Sequence, residues 1–310
     1  MRTVTLALLA GFTLGAIAPV QAADLDYGVL RGPDYEPEVP VIDWNGIYFG
    51  GHGGYTSASL NQTNVFQNIL AKEFRVRDIE SQFNVSSFLT ASSARVGGAS
   101  YGAYAGFNYQ FDEVVIGVEA DYTRFDRVGQ ATNDISRIMT TTAGVTEVVN
   151  LAGLTSTKVE DFGTIRARGG WAFGNFLPFV TAGLAIGRAV VTDQVAVQNY
   201  GYDSKTYTAN LVAASAPAYV YNHGYNSFNP AYPGNGSSPQ GQVQTVPSSP
   251  YIVGKTTEKT VGGLALGAGL EFAVTQNILL RGEYQYVQFN DFDGHKVNLN
   301  TVRGGAAVKF

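Results

Sequence analysis

Ala99-Ser100-Tyr101-Gly102-Ala103-Tyr104-Ala105-Gly106-Phe107-Asn108-Tyr109-Gln110-Phe111 decides the fold. Every second residue, from Ala99 through Tyr101, Ala103, Ala105, Phe107 and Tyr109 to Phe111, is uncharged and largely apolar or aromatic; Ser100, Gly102, Tyr104, Gly106, Asn108 and Gln110 lie between them. A period of two is a β-strand whose faces meet different surroundings. Lipid on one side and a polar interior on the other produce this alternation. The same reading recurs at about 46–57, 114–126, 160–173, 177–190, 259–272, 278–289 and 298–310. The expected fold is all-β: an eight-stranded antiparallel up-and-down transmembrane barrel with long extracellular loops, the even strand number being the rule for a single-chain bacterial barrel.

The connections support this. Asp112-Glu113, Gly174–Phe176 and Ala273–Asn277 are tight turns, whereas about 58–97, 127–159 and 191–258 are long, and the last hairpin, around Asn290–Lys296, is short again. Short periplasmic turns facing long outer loops are the usual asymmetry of such barrels. Aromatics collect at both strand ends: Phe49, Tyr109, Phe111, Trp171, Phe173, Phe272 and Phe310 on the turn side, and Tyr55, Tyr101, Tyr122 and Tyr286 opposite. Two such girdles mark the two membrane interfaces.

The N-terminus reads as an export signal. Arg2 precedes an apolar run from Val4 to Ala18 that is too short for a spanning helix, and small residues lead to Ala22. The expected organisation is a signal peptide at 1–22, a Pro-containing periplasmic leader at 23–43 (Pro33, Pro37, Pro40) and a barrel domain at 44–310. The absence of cysteine removes disulfides and thiolate chemistry. A net charge of −5 argues against nucleic acid as a partner. Glycine (37), tyrosine (18) and phenylalanine (18) are abundant while charged residues are 15%, and mean hydropathy is −0.01. A helical membrane protein would be greasier; a barrel with one wet and one lipid face is not.

The last strand, with Val302, Gly304, Ala306, Val308 and terminal Phe310 on one face, resembles the terminal signal by which outer-membrane barrels are recognised for assembly. Together with Trp44-Asn45-Gly46-Ile47-Tyr48-Phe49-Gly50-Gly51 and Leu280-Arg281-Gly282-Glu283-Tyr284-Gln285-Tyr286-Val287, it makes the chain similar to small outer-membrane proteins of Alphaproteobacteria, a group with Brucella surface antigens, rhizobial outer-membrane proteins and Bartonella haemin-binding proteins. The third outer loop departs from that group by its length. The resemblance implies a cell outer-membrane surface protein with a structural, envelope-integrity role and loop-mediated interactions. Its implied partners are outer-membrane lipid and lipopolysaccharide, the barrel-assembly machinery during biogenesis, and a host or surface ligand.

Candidate site residues fall in three groups. Glu119, Asp121, Arg166, Arg168, Glu271, Arg281, Glu283, Arg303 and Lys309 share the lumen-facing phase. Counting up from the turn-side ends, with Phe111 opposite Val114 and Phe173 opposite Phe176, predicts that Glu119 meets Arg168 and Asp121 meets Arg166; with Phe289 opposite Val297 in the last hairpin, Glu283 meets Arg303 and Glu271 lies one diagonal step from Arg281. Such pairs would plug an eight-stranded interior; the alternative is a small porin with a narrow charge-lined pore. The resemblance implies that Phe310, Val308 and Val302 form the assembly signal. In the aromatic-rich third loop, Tyr221, His223 and Tyr225 combine axial-ligand chemistry with aromatic flanks, which offers haemin binding or adhesion as a further alternative. No cofactor is otherwise expected and no metal-ligand spacing occurs. An enzyme is not expected: Asp291, Asp293 and His295 alternate and could share a face at the rim, but no serine or threonine stands nearby to complete a triad.

Overall fold

The computed structural model describes residues 42–212, 218–229 and 245–310. The expected signal peptide and all but the last two residues of the leader lie outside them. Eight strands form the barrel: β1 Gly46–Asn61, β2 Ala94–Phe111, β3 Val114–Thr140, β4 Val145–Trp171, β5 Phe176–Asp203, β6 Tyr251–Ala273, β7 Ile278–Phe289 and β8 Lys296–Lys309. Each pairs antiparallel with its chain neighbours, β5 with β6 across the third outer loop, and β1 also pairs with β8, so the sheet closes. None of the described helices is long and apolar enough to cross a membrane. A closed sheet leaves no edge in lipid, and strands can therefore span it.

The turn-side ends match expectation, because Asp112 and Gly174 adopt the positive φ of tight turns. The outer ends do not. Three of the four outer-loop regions begin or end as strand: β3 and β4 meet in a hairpin at 141–144, and β5 runs on to Asp203. At the rim the hydrophobic phase inverts. Along β5, Val180, Leu184 and Ile186 face outward to lipid; beyond Arg188 the apolar residues Val191, Val195 and Val197 turn inward and are buried. Outside the bilayer water replaces lipid, so a strand is stable there only with its apolar face inside.

Val191 joins the barrel's outer-side cluster, and what Val195 and Val197 pack against is the first outer loop. It holds helices α1 Gln67–Phe74 and α2 Asp78–Phe83. Phe66, Leu70 and Phe74, four residues apart and so on one helix face, are fully buried with Ile79, Val85 and Leu89 against Val149, Leu151, Val195 and Val197. The third loop opens with α3 Ser204–Val212, capped by Asp203, whose Oδ1 accepts the backbone N–H groups of Lys205 and Thr206 at 3.0 and 3.1 Å.

Candidate functional site

The barrel lumen is filled in layers. At the turn side Ile42, Trp44, Tyr48, Val115, Leu177 and Leu279 form an apolar floor, with Trp44 and Tyr48 having no exposed surface. Towards the outer side Phe125, Phe162, Phe289, Val297 and Leu299 form an apolar ceiling. Between them lie four acids and four arginines with side chains at most 2% exposed.

Arg166 is the hub, with Nη2 2.6 Å from Glu119 and 2.9 Å from Asp121, and Nη1 2.5 Å from Glu283. Arg281 bridges Glu119 and Glu271, both at 2.6 Å. Arg168 meets Glu271 at 2.5 Å and Arg303 meets Glu283 at 2.9 Å and Asp121 at 3.3 Å. The Tyr48 hydroxyl donates to Glu119 at 2.8 Å and accepts from Arg168 at 3.0 Å. Aromatic faces cover the remaining guanidinium surface: Arg281 lies 4.2 Å from the Tyr104 ring centre and Arg168 4.3 Å from that of Phe179. Gly267 makes room, since a Cβ there would stand 2.8 Å from Glu283 Oε1 and 2.9 Å from Arg166 Nη1.

The expected levels need correction on one side of the barrel. Glu119 opposes Arg166, Gly117 opposes Arg168 and Asp121 opposes Thr164, a slip of two residues from the predicted register. β3 and β4 are joined at the outer end, so no tight turn sets their level on the turn side, and the shear of a closed barrel staggers them. Arg168 accordingly reaches across the lumen to Glu271. Glu283 opposes Arg303 as expected, and Glu271 opposes Arg281 directly and not diagonally. Lys309 stands apart from the network: its ammonium donates to the Asp43 backbone carbonyl at the periplasmic end. Val302, Val308 and Phe310 are exposed on the lipid face, and the Phe310 N–H bonds the Ile47 carbonyl at 2.9 Å.

Of the three third-loop candidates, Tyr221 and His223 stand together on one cleft with ring centres 6.2 Å apart, and Tyr225 does not line it. His223 sits in a two-residue strand against β5, with Nε2 2.8 and 2.9 Å from the two Glu147 carboxylate oxygens. Tyr225 packs on Tyr200 and Phe228 at ring distances of 5.3 and 5.1 Å, while Tyr221 is half exposed. Glu147 also accepts from the Asn199 amide at 2.9 Å. Burial pushes its pKa up, but the hydrogen bonds from His223 and Asn199 outweigh this and hold it below 4.5. A cleft of about 630 Å³ opens here, lined by Arg77 and Asp78 at the start of α2, by Glu147 and Asn199, and by Tyr221, His223 and Tyr251.

His295 corrects the remaining grouping. It is fully buried and turns away from Asp291 and Asp293 to Asp193, 3.1 Å from Nε2, and Thr157, 2.8 Å from Nδ1. Thr155 donates to Asp193 at 2.6 Å and Gln62 to Thr157 at 2.6 Å. A hydroxyl, an imidazole and a carboxylate are aligned, all three buried, and they tie the first and last outer loops to β4 and β5. The sequence could not show this, because Thr157 lies 138 residues from His295.

Along its whole length the chain is 28% identical to a 31 kDa outer-membrane immunogenic protein of Brucella melitensis, with 100% of both chains covered. It is 26% identical over 187 residues to a 22 kDa outer membrane protein of Rhizobium leguminosarum bv. viciae, covering 60% of this chain and 62% of that protein. This chain is an integral outer-membrane protein. No family model matches it. Among solved structures, this outer-membrane barrel is similar to Neisserial surface protein A (13% identity, TM-score 0.34, covering 86% of this chain and 98% of that one). It is also similar to Ail, the attachment invasion locus protein of Yersinia pestis (11% identity, TM-score 0.29, covering 86% and 99%).

Proposed function

We propose that this outer-membrane protein is a sealed anchor: a non-conducting, non-enzymatic barrel whose work is to hold a folded head outside the membrane and to stiffen the envelope. The observation that carries this reading is the filled lumen. Apolar floor and ceiling exclude water on either side of a layer in which each acid has an arginine within 2.9 Å. An ion would have to displace both apolar layers and break pairs held in a low-dielectric interior. Interactions with other molecules belong to the outer head, where the cleft beside Glu147 and His223 supplies a concave surface with convergent polar groups. Haemin fits that cleft less well than a polar ligand, because ligation by His223 Nε2 would cost its bonds to Glu147.

Planar-bilayer recording of the refolded full-length protein tests the proposal. No steady conductance is expected, before or after deletion of the third loop between β5 and β6. Steady ohmic channels from the wild type would replace the anchor with a porin, and channels appearing only in the deletion variant would make that loop the plug.

A further inference from the structure

Outside the membrane, β3 continues past the strand that pairs with it inside. β2 pairs with β3 only as far as Tyr101↔Arg124, while β3 runs on to Thr140 with β4 as its partner. Arg127–Thr140 is therefore one edge of a sheet standing clear of the bilayer. At the hairpin tip the Thr141 N–H donates to the Val145 carbonyl at 2.9 Å. In an antiparallel ladder, backbone groups turn towards the same neighbour at every second residue. Odd-numbered residues thus bond β4, and the N–H and C=O groups of Val128, Gln130, Thr132, Asp134, Ser136 and Ile138 point away from it. Among the described residues no backbone group meets them from that side. Two are touched by adjacent side chains: Asn133 Oδ1 accepts the Asp134 N–H at 3.0 Å, and Arg137 Nη1 donates to the Ser136 carbonyl at 3.1 Å. All six of these residues are exposed, Ile138 by 72%.

The opposite edge of the same sheet is different. Above the bond from the Asn290 N–H to the Gly262 carbonyl at 2.9 Å, β6 has no strand partner on the β7 side among the described residues, but Lys255 and Lys259 cross there to Asp293 at 3.1 and 2.9 Å. Charged side chains on an edge are a device against unwanted strand addition. The β3 edge carries no such cross-pair, and its bulge, between Arg124 and Arg127, lies at the foot and leaves the rest regular.

We propose that the β3 edge from Val128 to Ile138 is a docking site for an extended segment of a soluble partner protein, added as a further strand. Main-chain hydrogen bonds would supply the affinity in such an arrangement, and an edge of this length accommodates a segment of about 10 residues. Arg127 at the foot and Arg137 near the tip outnumber Asp134 between them, a net charge of +1 over Arg127–Thr140, which fits a segment with short polar or β-branched side chains and at least one carboxylate. A second copy in the same membrane is the wrong occupant. An axis along the membrane normal would bring two β3 edges together running in the same sense, and with strands tilted by roughly 35–45° they would cross at about 80°, too steeply to pair.

The test selects from a pool of random, proline-free 12-residue peptides on the refolded full-length protein, with Thr132→Pro as the counter-target. The Thr132 N–H is outside the β4 ladder, so proline is tolerated there and intact folding is checked by heat-modifiable gel mobility. Thr132→Lys, which puts a charge on the edge without altering the backbone, replaces it if the proline variant fails to fold. Selected peptides should bind wild type and Thr132→Ala alike and lose at least tenfold in affinity to the proline or lysine variant. Binding should slow amide exchange at the even-numbered residues from Val128 to Ile138. N-methylation at alternate peptide positions should abolish binding in one phase and spare it in the other. Peptides that bind the edge variants equally, protection that maps elsewhere, or no peptide recovered from the pool would each overturn the proposal.

Discussion

Replacing Arg166 with alanine removes the cation that meets Glu119 at 2.6 Å, Asp121 at 2.9 Å and Glu283 at 2.5 Å. Its side chain has no exposed surface, so water cannot take its place without opening the lumen. Breaking a buried pair by removing one partner costs roughly 3–5 kcal/mol, and the void left by a long side chain works in the same direction. With a urea dependence of about 2–3 kcal/mol per molar, the unfolding midpoint of the refolded variant should fall by about 1–2 M. Arg303→Ala should cost less, because Arg166 still holds both of its carboxylates, Asp121 and Glu283. Lys205→Ala, on the exposed surface of α3, should stay within about 0.5 kcal/mol of wild type. Adding Glu283→Gln to Arg166→Ala rebalances the buried charge and should recover at least about 1 kcal/mol, a coupling that independent sites do not show. A shift for Arg166→Ala no larger than that for Lys205→Ala, or strict additivity in the double variant, would refute the reasoning and mean that the interior is wet.

Three further outcomes follow from the outer half. Because the chain has no cysteine, Lys205→Cys on intact cells should react with a membrane-impermeant maleimide while Asp43→Cys should not; labelling of the second alone would invert the barrel. Glu147 has a folded pKa below its unfolded value, so its contribution is present above about pH 4.3 and is lost as pH falls through the folded value. Proteolysis of the third loop in micelles should therefore accelerate in wild type as pH falls through that folded value and show no such step in Glu147→Gln; identical profiles would remove the Glu147–His223 pair from the loop's attachment. His295→Ala leaves Asp193 and Thr157 short of partners in a buried site and should cost about 1–3 kcal/mol, read as earlier thermal unfolding; an unchanged midpoint would show that solvent reaches the site.

The barrel was legible because lipid writes a strict alternation: Phe107, Tyr109 and Phe111 outward against Asn108 and Gln110 cannot be read as anything but strand. The tight turns fixed the neighbouring registers, and Glu283 opposite Arg303 followed from counting. β3 and β4 are joined at the outer end, by a hairpin at 141–144 that the lipid-facing pattern does not reveal, so counting up from the turn side had no anchor for that pair and misplaced Glu119 by two residues. The extension of β5 and β6 beyond the membrane was within reach of the sequence, but that of β3 and β4 was not, because the apolar face changes sides at the rim: Gln130, Thr132 and Ser136 outward against Ala131 and Ile135 inward look like loop when only the lipid-facing phase is followed. The first-loop helices left a signal in Phe66, Leu70 and Phe74 that was hidden by treating the whole segment as connection. The His295 cluster left none, since its members come from four distant parts of the chain.

The central claim is that the lumen charges are paired and dry. Nitrogen-detected NMR of the arginine side chains in the refolded, micelle-bound protein measures this directly, through the exchange of guanidinium protons with water. Arg166, Arg168, Arg281 and Arg303 should give separate, slowly exchanging Nη resonances, distinct from the averaged signal of exposed arginines such as Arg124. A single averaged signal in fast exchange for all of them would contradict the account.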